Sequence, residues 1–341
     1  MDTTVSAPLL AVEDLRVSFA VGDRRISPVD GVSFIVRRGE ALGIVGESGS
    51  GKSLTLRSIL GLLPPGSEVE GTVRFSFEGG TSASATSDLI ELTQPAKPGE
   101  AAAGHGVAMI FQEPMTALNP TMRVGDLIAE GALGRGGASR AAARRRAVEL
   151  LGAAGVPDPE RRARMWPHQL SGGLRQRVMI AAALSTEPEL LLCDEPTTAL
   201  DVTIQDQILG LLAQLRRDLA MAIVFVTHDL AVIAEVCDDI AVMYAGQIVE
   251  SGPVDDVLAA PRHPYTAALI ASAPSFQGGS GRLQGIGGMP PDPRAFPAGC
   301  RFAARCSFVR EDCRTAPYRL DLREGRATAC IHPEVLAGTQ P

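Results

Sequence analysis

Residues 46–53 of this 341-residue chain read GESGSGKS and fill every fixed position of the phosphate-loop pattern GxxxxGK[ST]. An apolar run at 41–45 precedes the loop and a helical pattern follows it, which is the strand–loop–helix context that a phosphate site needs. The glycines allow several backbone N–H groups to converge on one anion, and the helix N-terminus adds a partial positive charge. Lys52 is then expected to reach the β- and γ-phosphates of a nucleotide, and the Ser53 hydroxyl to hold Mg²⁺.

Lys52 is one of only two lysines in a chain that otherwise uses arginine, so its place in the loop does not reflect composition. The planar fork of an arginine would not replace a compact ammonium between phosphates. A glycine-rich turn that only caps a helix is the weaker interpretation, because all four specified positions match. The predicted nucleotide-binding residues of this segment are Gly46, Ser48, Gly49, Ser50, Gly51, Lys52, Ser53 and Leu54.

Two carboxylates stand at the end of a second apolar run. Residues 190–193 are continuously apolar, as in a parallel strand buried on both faces, and Asp194 and Glu195 follow directly. Acids at the carboxyl end of a buried strand are the usual arrangement of a site in an α/β sheet. Asp194 suits Mg²⁺, through water, and Glu195 suits the general base that orients an attacking water. A helix N-cap is the alternative interpretation of this Asp-Glu-Pro sequence.

Three further side chains could complete a nucleotide site. His228 follows the apolar strand 223–227 and could hydrogen-bond a γ-phosphate, although a lone histidine after a strand is more often structural. Gln112 directly follows the apolar run 107–111. Phe19 lies in a β pattern and is equally suited to stacking on an adenine ring and to packing in a core.

A second pair of glycines opens a predicted helix at Ser171, Gly172 and Gly173, within the sequence LSGGLRQ. The N-terminus of that helix would attract an anion. A plain helix cap explains Ser171 and Gly172 about as well if the segment is considered alone.

Composition limits the class of protein. Hydrophobic residues make up 45% and charged residues 21% of the chain, which is ordinary for one large globular domain with an appendage, or for two domains. The net charge of −7 gives no indication of nucleic-acid binding. No apolar run approaches the roughly 20 residues that cross a bilayer, and the N-terminus has no signal-peptide pattern. We therefore expect a soluble, cytosolic chain whose membrane contact comes through a partner.

Hydrophobic spacing predicts an α/β fold. Alternating apolar residues indicate antiparallel strands within 9–45 and a further strand at 71–77. Residues 79–105 are rich in Gly, Ser, Ala, Thr and Pro and are expected to form an exposed loop. From about 122 to 184 the spacing is helical.

Taken together, these motifs resemble the ATP-binding subunit of an ABC transporter over roughly residues 9–258. The six motifs, in the order of that family, are the phosphate loop 46–53, the Q-loop Gln112, the signature 170–173, the pair Asp194 and Glu195, the D-loop 199–201 and the switch histidine His228. Their combination is far more specific than any one of them. One departure is Leu174, where many members have glutamine; Ser171 and Gly173 are retained, so activity is expected to be intact.

The resemblance implies a P-loop NTPase core in residues 1–258, with an antiparallel β subdomain and a helical signature subdomain at about 113–185. Two such domains would sandwich two ATP molecules head to tail, so that a monomer binds ATP but hydrolyses it poorly. The surface around 113–135 would transmit motion to a membrane partner. The implied catalytic residues are Gln112, Glu195 and His228, the implied Mg²⁺ ligands Ser53, Gln112 and Asp194, and the further nucleotide contacts Ser171, Gly172, Gly173 and Asp201.

The tail at 259–341 narrows the resemblance to the oligopeptide/dipeptide permease family, because HPYT at 263–266 followed by AAL is similar to the extension of those ATPase subunits. This resemblance implies peptide import at the cytoplasmic face of the cell membrane. The implied partners are a second ATPase subunit, expected to be a related chain, two integral membrane permease subunits and an extracytoplasmic substrate-binding protein; nucleic acid is not among them. Nickel, glutathione or another solute is the alternative cargo.

A soluble ABC protein of translation or DNA repair is disfavoured, because the chain has neither a second cassette nor a long coiled-coil insertion.

Four of the six cysteines lie in the last 42 residues, at Cys300, Cys306, Cys313 and Cys330. Disulfides are disfavoured in a reducing cytosol, and zinc sites usually show CxxC pairs, which are absent here. Four thiolates at looser spacing could hold a [4Fe–4S] cluster, and the resemblance points the same way. An unliganded structural set and a zinc site stay open as alternatives. The other two cysteines, in apolar contexts, are expected to be buried hydrophobes.

Overall fold

Two β-sheets organise the chain in the computed structural model, which describes residues 8–77, 88–92, 106–134, 138–198, 200–273, 285–323 and 325–336. The strands are β1 (Leu10–Val21), β2 (Arg24–Val36), β3 (Ala41–Val45), β4 (Ser67–Phe77), β5 (Asp88–Leu92), β6 (Val107–Ile110), β7 (Leu190–Asp194), β8 (Ala222–Thr227), β9 (Asp239–Tyr244), β10 (Gln247–Pro253), β11 (Asp321–Arg323) and β12 (Arg326–Thr328). The α-helices are α1 (Lys52–Ile59), α2 (Pro114–Ala117), α3 (Val124–Gly134), α4 (Arg140–Ala153), α5 (Pro159–Arg162), α6 (Gly172–Leu184), α7 (Val202–Leu219), α8 (Leu230–Val236), α9 (Val254–Ala259) and α10 (Pro264–Ser272).

The larger sheet has the strand order β11-β12-β10-β9-β3-β8-β7-β6. Its middle is parallel, with β3 paired to β8 and β9, and β7 paired to β8 and β6. Every residue of β3, β7 and β8 is buried, as expected for parallel strands with both faces covered. Because parallel strands end at the same edge, the segments that follow β3, β7 and β8 are brought together there.

The smaller sheet is antiparallel and has the order β2-β1-β4-β5. Its inner face includes Leu10, Val17 and Val36, which belong to one apolar core with Leu56 and Ile59 of α1. The predicted antiparallel subdomain is therefore confirmed. The predicted loop at 79–105 is wrong in part, because Asp88–Leu92 forms β5 and pairs with β4; the rest of that segment lies outside the described residues.

The predicted helical block is confirmed and consists of α2 to α6. Helices α3, α4 and α6 pack against one another through buried apolar side chains and share the core of the larger sheet. These side chains are Val124, Ile128, Ala147, Leu151, Val178 and Ile180. Within the residues that the structure describes, no helix combines the length and the hydrophobicity that a bilayer span requires.

The tail is joined to the larger sheet. Strand β12 pairs antiparallel with β10, and the fully buried Glu250 of β10 accepts a hydrogen bond from Arg326 of β12 at 2.8 Å. The backbone N–H groups of Arg262 and His263 donate to the same carboxylate at 2.7 and 2.9 Å. Burial raises the pKa of this carboxyl group, and these hydrogen bonds act in the opposite direction. The pairing of β12 with β10 joins the predicted appendage to the core of the larger sheet.

Candidate nucleotide-binding site

The phosphate loop connects β3, in the middle of the larger sheet, to α1. Gly49 and Gly51 adopt left-handed φ values of 78° and 103°, a region that suits glycine, so the chain can turn sharply before the helix. The hydroxyl of Ser50 is buried and has no hydrogen-bond partner among the described residues. An unpartnered donor in a glycine-rich loop at a helix N-terminus suits a bound phosphate oxygen.

Gly46 leaves no room for a side chain, because a Cβ there would lie 2.0 Å from the carbonyl oxygen of Met243 in β9. We expect Gly46→Ala to weaken ATP binding and to lower the free energy of unfolding by about 2 kcal/mol or more. Chemical denaturation and nucleotide titration measure the two effects. Gly152→Ala in α4 is the matched control, since its Cβ would meet nothing within 4 Å. Equal stability of the two variants would contradict this close packing.

Lys52, Ser53 and Asp194 converge beneath the loop. The Lys52 side chain is buried, and its Nζ donates to the carbonyl oxygens of Gly46 and Glu47 at 2.8 and 3.0 Å. Burial lowers the pKa of the Lys52 ammonium, while the carboxylates of Glu195, Asp194 and Glu47 act in the opposite direction. Two carbonyl oxygens therefore hold the ammonium at the loop, and the nearby carboxylates favour its charged form.

The Ser53 hydroxyl donates to Oδ1 of Asp194 at 2.7 Å. Asp194 is fully buried, and its Oδ2 has no hydrogen-bond partner among the described residues. Burial raises the pKa of this carboxyl group, which the Ser53 hydroxyl partly offsets. A hydroxyl beside an orphaned carboxylate oxygen is a donor set that fits Mg²⁺, which prefers oxygen ligands.

Glu195 is the centre of a cluster at the same edge of the sheet. Its carboxylate accepts hydrogen bonds from Gln112 Nε2 at 3.2 Å and Thr198 Oγ1 at 2.8 Å, and its Oε1 lies 3.4 Å from Nδ1 of His228. Glu195 also adopts a left-handed φ of 45°, a strained conformation that concentrates at functional sites. Two of the residues predicted to be catalytic, Gln112 and His228, thus both contact the third, Glu195. Gln112 faces Glu195 in this structure, and its predicted role as an Mg²⁺ ligand stays a prediction.

The glycine motif lies apart from the phosphate loop. Ser171 is the N-cap residue of α6 and is exposed, as is Gly172. A Cβ at Gly173 would approach Ile204 of α7 to 2.9 Å, so this glycine lies close against the start of that helix. In the part of the chain that the structure describes, no hydrogen bond joins the motif to residues 46–53.

Three other predicted nucleotide contacts lie in structural positions. Phe19 is half-buried against the core between the sheets, and Leu54 packs on the same core. Asp201 caps α7 by accepting a hydrogen bond from the backbone N–H of Ile204 at 2.9 Å. Ala199 of the predicted D-loop lies outside the described residues. Nucleotide contact by these three side chains stays a prediction.

The tail cysteines form a second candidate site, because Cys300, Cys306, Cys313 and Cys330 all line one cavity. None of the described cysteines is in a disulfide. A backbone N–H group approaches each sulfur: those of Phe302, Phe308 and His332 at the first, second and fourth cysteine, and that of Arg310 at 3.5 Å from the third. Hydrogen bonds of this kind stabilise thiolates and tune iron–sulfur clusters.

Burial raises the pKa of the Cys300 and Cys306 thiols and raises that of Cys330 to about 11. These thiols would be protonated at neutral pH, and a bound cation would displace their protons. The four cysteines line the same cavity, but among the described residues no three of their sulfurs lie within 4.8 Å of one another. A mixed ligand group is also present, since side-chain ligand atoms of Asp312, Cys313 and His332 lie within 4.8 Å of one another.

Sequence reasoning missed four residues that contact the nucleotide site. The hydroxyl of Thr198 donates a hydrogen bond to Glu195. Thr198 lies three residues after Glu195 in the sequence DEPTT, and this spacing is the signal from which the contact could have been predicted. Glu47, Tyr265 and Arg305 meet at the phosphate loop. No local pattern signals that contact, because Glu47 is separated from Tyr265 by 218 positions and from Arg305 by 258.

Three features define an ATPase of the ABC type: a phosphate loop that follows β3 in the middle of a mixed sheet, paired acids at the end of β7, two strands away, and a separate glycine motif. Residues 29–198 match the family model described as ABC transporter, and residues 249–313 match the model of the C-terminal region of oligopeptide/dipeptide transporters. Among solved structures, the chain resembles a dimeric ATP-binding cassette, MJ0796, bound to ADP and Pi in a post-hydrolysis state. The TM-score is 0.60 at 27% identity, covering 72% of this chain and 98% of that one.

The chain is 48% identical over 304 residues to the oligopeptide transport ATP-binding protein OppD of Bacillus subtilis, covering 88% of this chain and 82% of that protein. It is 42% identical over 337 residues to OppD of Salmonella typhimurium, covering 97% of each. It is 46% identical over 298 residues to the dipeptide transport ATP-binding protein DppD of Bacillus subtilis, covering 87% of this chain and 86% of that one. The chain belongs to the family of ATP-binding subunits of oligopeptide and dipeptide ABC transporters.

Proposed function

We propose that this chain hydrolyses ATP to power the import of peptides across the cytoplasmic membrane. The observation that carries the proposal is the meeting of three groups at one edge of the larger sheet: the buried Lys52, the Ser53–Asp194 pair and the Glu195 cluster. The names of its relatives, oligopeptide and dipeptide transport ATP-binding proteins, support the cargo.

The residues divide the work of phosphoryl transfer. Lys52 and the backbone N–H groups of the loop bind the triphosphate and hold its charge. Ser53 and Asp194 would hold Mg²⁺, which neutralises charge on the phosphate oxygens when bound. Glu195 accepts the proton of the attacking water and orients it, and Gln112 fixes the position of that carboxylate. His228, whose side chain is 61% exposed, would donate a hydrogen bond to the γ-phosphate.

Hydrolysis requires two domains arranged head to tail. The glycine motif is exposed at Ser171 and Gly172, and it is separate from the phosphate loop of its own chain. The N-terminus of α6 in one subunit would point at the γ-phosphate bound by the other, so ATP would join the two domains and its cleavage would release them. The resemblance to a dimeric cassette supports this arrangement.

The complete transporter would contain a second, related ATPase chain, two integral membrane permease subunits and an extracytoplasmic substrate-binding protein. This chain would sit on the cytoplasmic face through contacts of the 113–135 surface with the permeases. Co-purification with two membrane proteins tests the assembly. Uptake of a labelled dipeptide and oligopeptide panel in a deletion strain tests the cargo. Uptake of nickel or glutathione, with no uptake of peptide, would overturn the peptide assignment.

The four tail cysteines would hold a [4Fe–4S] cluster. The presence of all four residues in the lining of one cavity and the four backbone N–H groups that approach their sulfurs support this choice. The resemblance to the permease ATPases points the same way. Zinc is the competing metal, and the nearby Asp312 and His332 would favour it as ligands that zinc accepts.

Metal content provides a direct test of the cluster. We expect protein purified anaerobically to contain about four iron atoms per chain and to absorb broadly near ~400 nm. Cys306→Ser should remove most of this iron, because serine is a poor ligand for the cluster. Cys237→Ser, at a cysteine outside the tail, is the control and should keep it. Stoichiometric zinc in colourless anaerobic protein would assign the site to zinc instead.

A further inference from the structure

The tail holds the phosphate loop through an arginine. Arg305 donates two hydrogen bonds to the carboxylate of Glu47, the second residue of the loop. Their lengths are 2.6 Å from Nη1 and 2.9 Å from Nη2. The Arg305 side chain is only 4% exposed and that of Glu47 is 27% exposed. Paired, partly desolvated charges in this bidentate geometry make a strong and directional contact.

All five N–H donors of the Arg305 guanidinium have partners. Besides Glu47, Nε donates to the carbonyl oxygen of Gly287 at 2.8 Å, Nη1 to the hydroxyl of Tyr244 at 3.2 Å, and Nη2 to the carbonyl oxygen of Ile286 at 3.1 Å. A guanidinium with every donor used has one defined position. A lysine in its place would keep the charge but could not reproduce the fork.

The backbone of Glu47 is held on both sides as well. Its N–H donates to the hydroxyl of Tyr265 at 2.9 Å, and its carbonyl oxygen accepts a hydrogen bond from Lys52 at 3.0 Å. Tyr265 is fully buried on α10, and its ring lies 4.5 Å from that of Tyr244. Glu47 therefore joins Lys52 of the phosphate loop to two residues of the tail, Tyr265 and Arg305.

The segment that positions Arg305 is also the segment that carries two of the tail cysteines. Cys300 accepts a backbone hydrogen bond from Ala303 at 3.1 Å, and Phe302 accepts one from Arg305 at 2.9 Å. The backbone N–H of Cys300 donates to the carbonyl oxygen of Cys313 at 2.8 Å. Arg305 directly precedes Cys306 in the chain. Constraints on these cysteines are therefore constraints on the position of Arg305.

The same segment reaches the far end of the loop. Arg301 forms an ion pair with Asp30 and donates to the carbonyl oxygen of Ala245. The backbone N–H of Gly246, the next residue, donates to the carbonyl oxygen of Ser50 at 2.9 Å. The tail thus contacts the loop directly at Glu47 and indirectly at Ser50.

We propose that Arg305 is a positioning residue of the phosphate loop and that it couples the metal occupancy of the tail cysteines to ATP binding. The positioning stands on the contacts of Arg305, whereas the coupling rests on the proposed metal centre. Arg305 neutralises the Glu47 carboxylate, which would otherwise repel the triphosphate beside it. When the cysteines lose their metal, the 300–306 segment is less constrained. The two hydrogen bonds from Arg305 to Glu47 are then weakened, and the phosphate loop binds ATP less tightly.

A double-mutant cycle tests the positioning. Titration of the full chain with a fluorescent ATP analogue should show a Kd about tenfold higher for Arg305→Met, because a partly buried carboxylate loses its partner beside an anion. In the Glu47→Gln background the same replacement should change Kd by less than about threefold, since no carboxylate is left unpaired. This rescue separates an electrostatic role from a merely structural one, which Glu47→Gln would not repair.

Two more variants keep the test decisive. Arg305→Lys keeps the charge, so its Kd should lie between those of the parent and of Arg305→Met. If Arg305→Met does not fold, Arg305→Lys takes its place in the double-mutant cycle. Arg294→Met, at an exposed arginine of the same tail that pairs with Asp292, is the control and should leave Kd unchanged. In the assembled transporter, Arg305→Met should raise KM for ATP with little change in kcat. An equal effect of Arg305→Met with and without Glu47→Gln would overturn the proposal.

Metal removal tests the coupling. ATP-analogue binding is measured on full-chain protein of known iron and zinc content, before and after chelation. Removing the metal should raise Kd severalfold in the parent and have no further effect in Arg305→Met. An unchanged Kd in the parent would overturn the coupling while leaving the metal centre intact. Protein that purifies with neither metal would overturn the coupling and the proposed centre together, and the cycle would still decide the positioning.

Discussion

Glu195→Gln is expected to lower ATP turnover by about 10²–10⁴-fold while ATP binding is kept, because the amide cannot accept a proton from the attacking water. The amide preserves the shape of the side chain and its contacts with Gln112 and Thr198. The loss should therefore lie in kcat rather than in affinity. Steady-state ATPase assays on the assembled transporter and nucleotide titration of the isolated subunit measure the two quantities separately.

Two comparisons sharpen this prediction. Thr198→Val removes only the hydroxyl that contacts Glu195, so it should slow turnover by less than Glu195→Gln does. Lys52→Ala removes the ammonium at the loop and should weaken nucleotide binding itself. Turnover at the parental rate in Glu195→Gln would show that another group activates the water.

The second large effect is expected at the glycine motif. Ser171→Glu, combined with the matching change in the partner ATPase, should lower turnover of the assembly by about 10²-fold or more, the scale of a lost anion-stabilising donor. A carboxylate at the N-terminus of α6 would repel the γ-phosphate held by the opposite subunit. Ser171 is exposed, so the substitution should leave the fold intact.

ATP affinity of the isolated subunit separates this effect from damage to the subunit's own site. Affinity should be unchanged in Ser171→Glu, because the motif is separate from the phosphate loop of its own chain. Ala141→Glu adds the same charge at an exposed position of α4 in the same helical block and should leave turnover near the parental value. If an assembly carrying the change in both halves hydrolyses ATP normally, the head-to-tail arrangement is wrong.

The elements that carry the reaction could be predicted because their signals are local. A strand, a glycine loop and a helix follow one another at the phosphate site, so 46–53 could be assigned without knowledge of distant contacts. The same is true of the apolar strands that end at Asp194 and before His228. Their convergence then follows from a general rule, since parallel strands deliver their carboxyl ends to one edge of the sheet.

The 79–105 segment shows where local signals mislead. Its composition is that of an exposed loop, yet Asp88–Leu92 pairs with β4 as an edge strand. The pairing is supplied by a strand that lies earlier in the chain, and composition does not report such a partner. The tail gives a similar case, since β12 is only three residues long and one of its two pairing partners, β10, lies far earlier in the chain.

The amino-acid sequence by itself predicted the chemistry of the nucleotide site: which side chains would bind phosphate, which oxygens suit Mg²⁺ and which carboxylate would act on water. Each of these properties belongs to a short contiguous pattern. The tertiary structure alone decided that the tail is anchored in the main sheet, that its four cysteines share one cavity and that Arg305 reaches Glu47. These contacts join residues far apart in the chain, and only the packing of the folded core brings them within hydrogen-bonding distance.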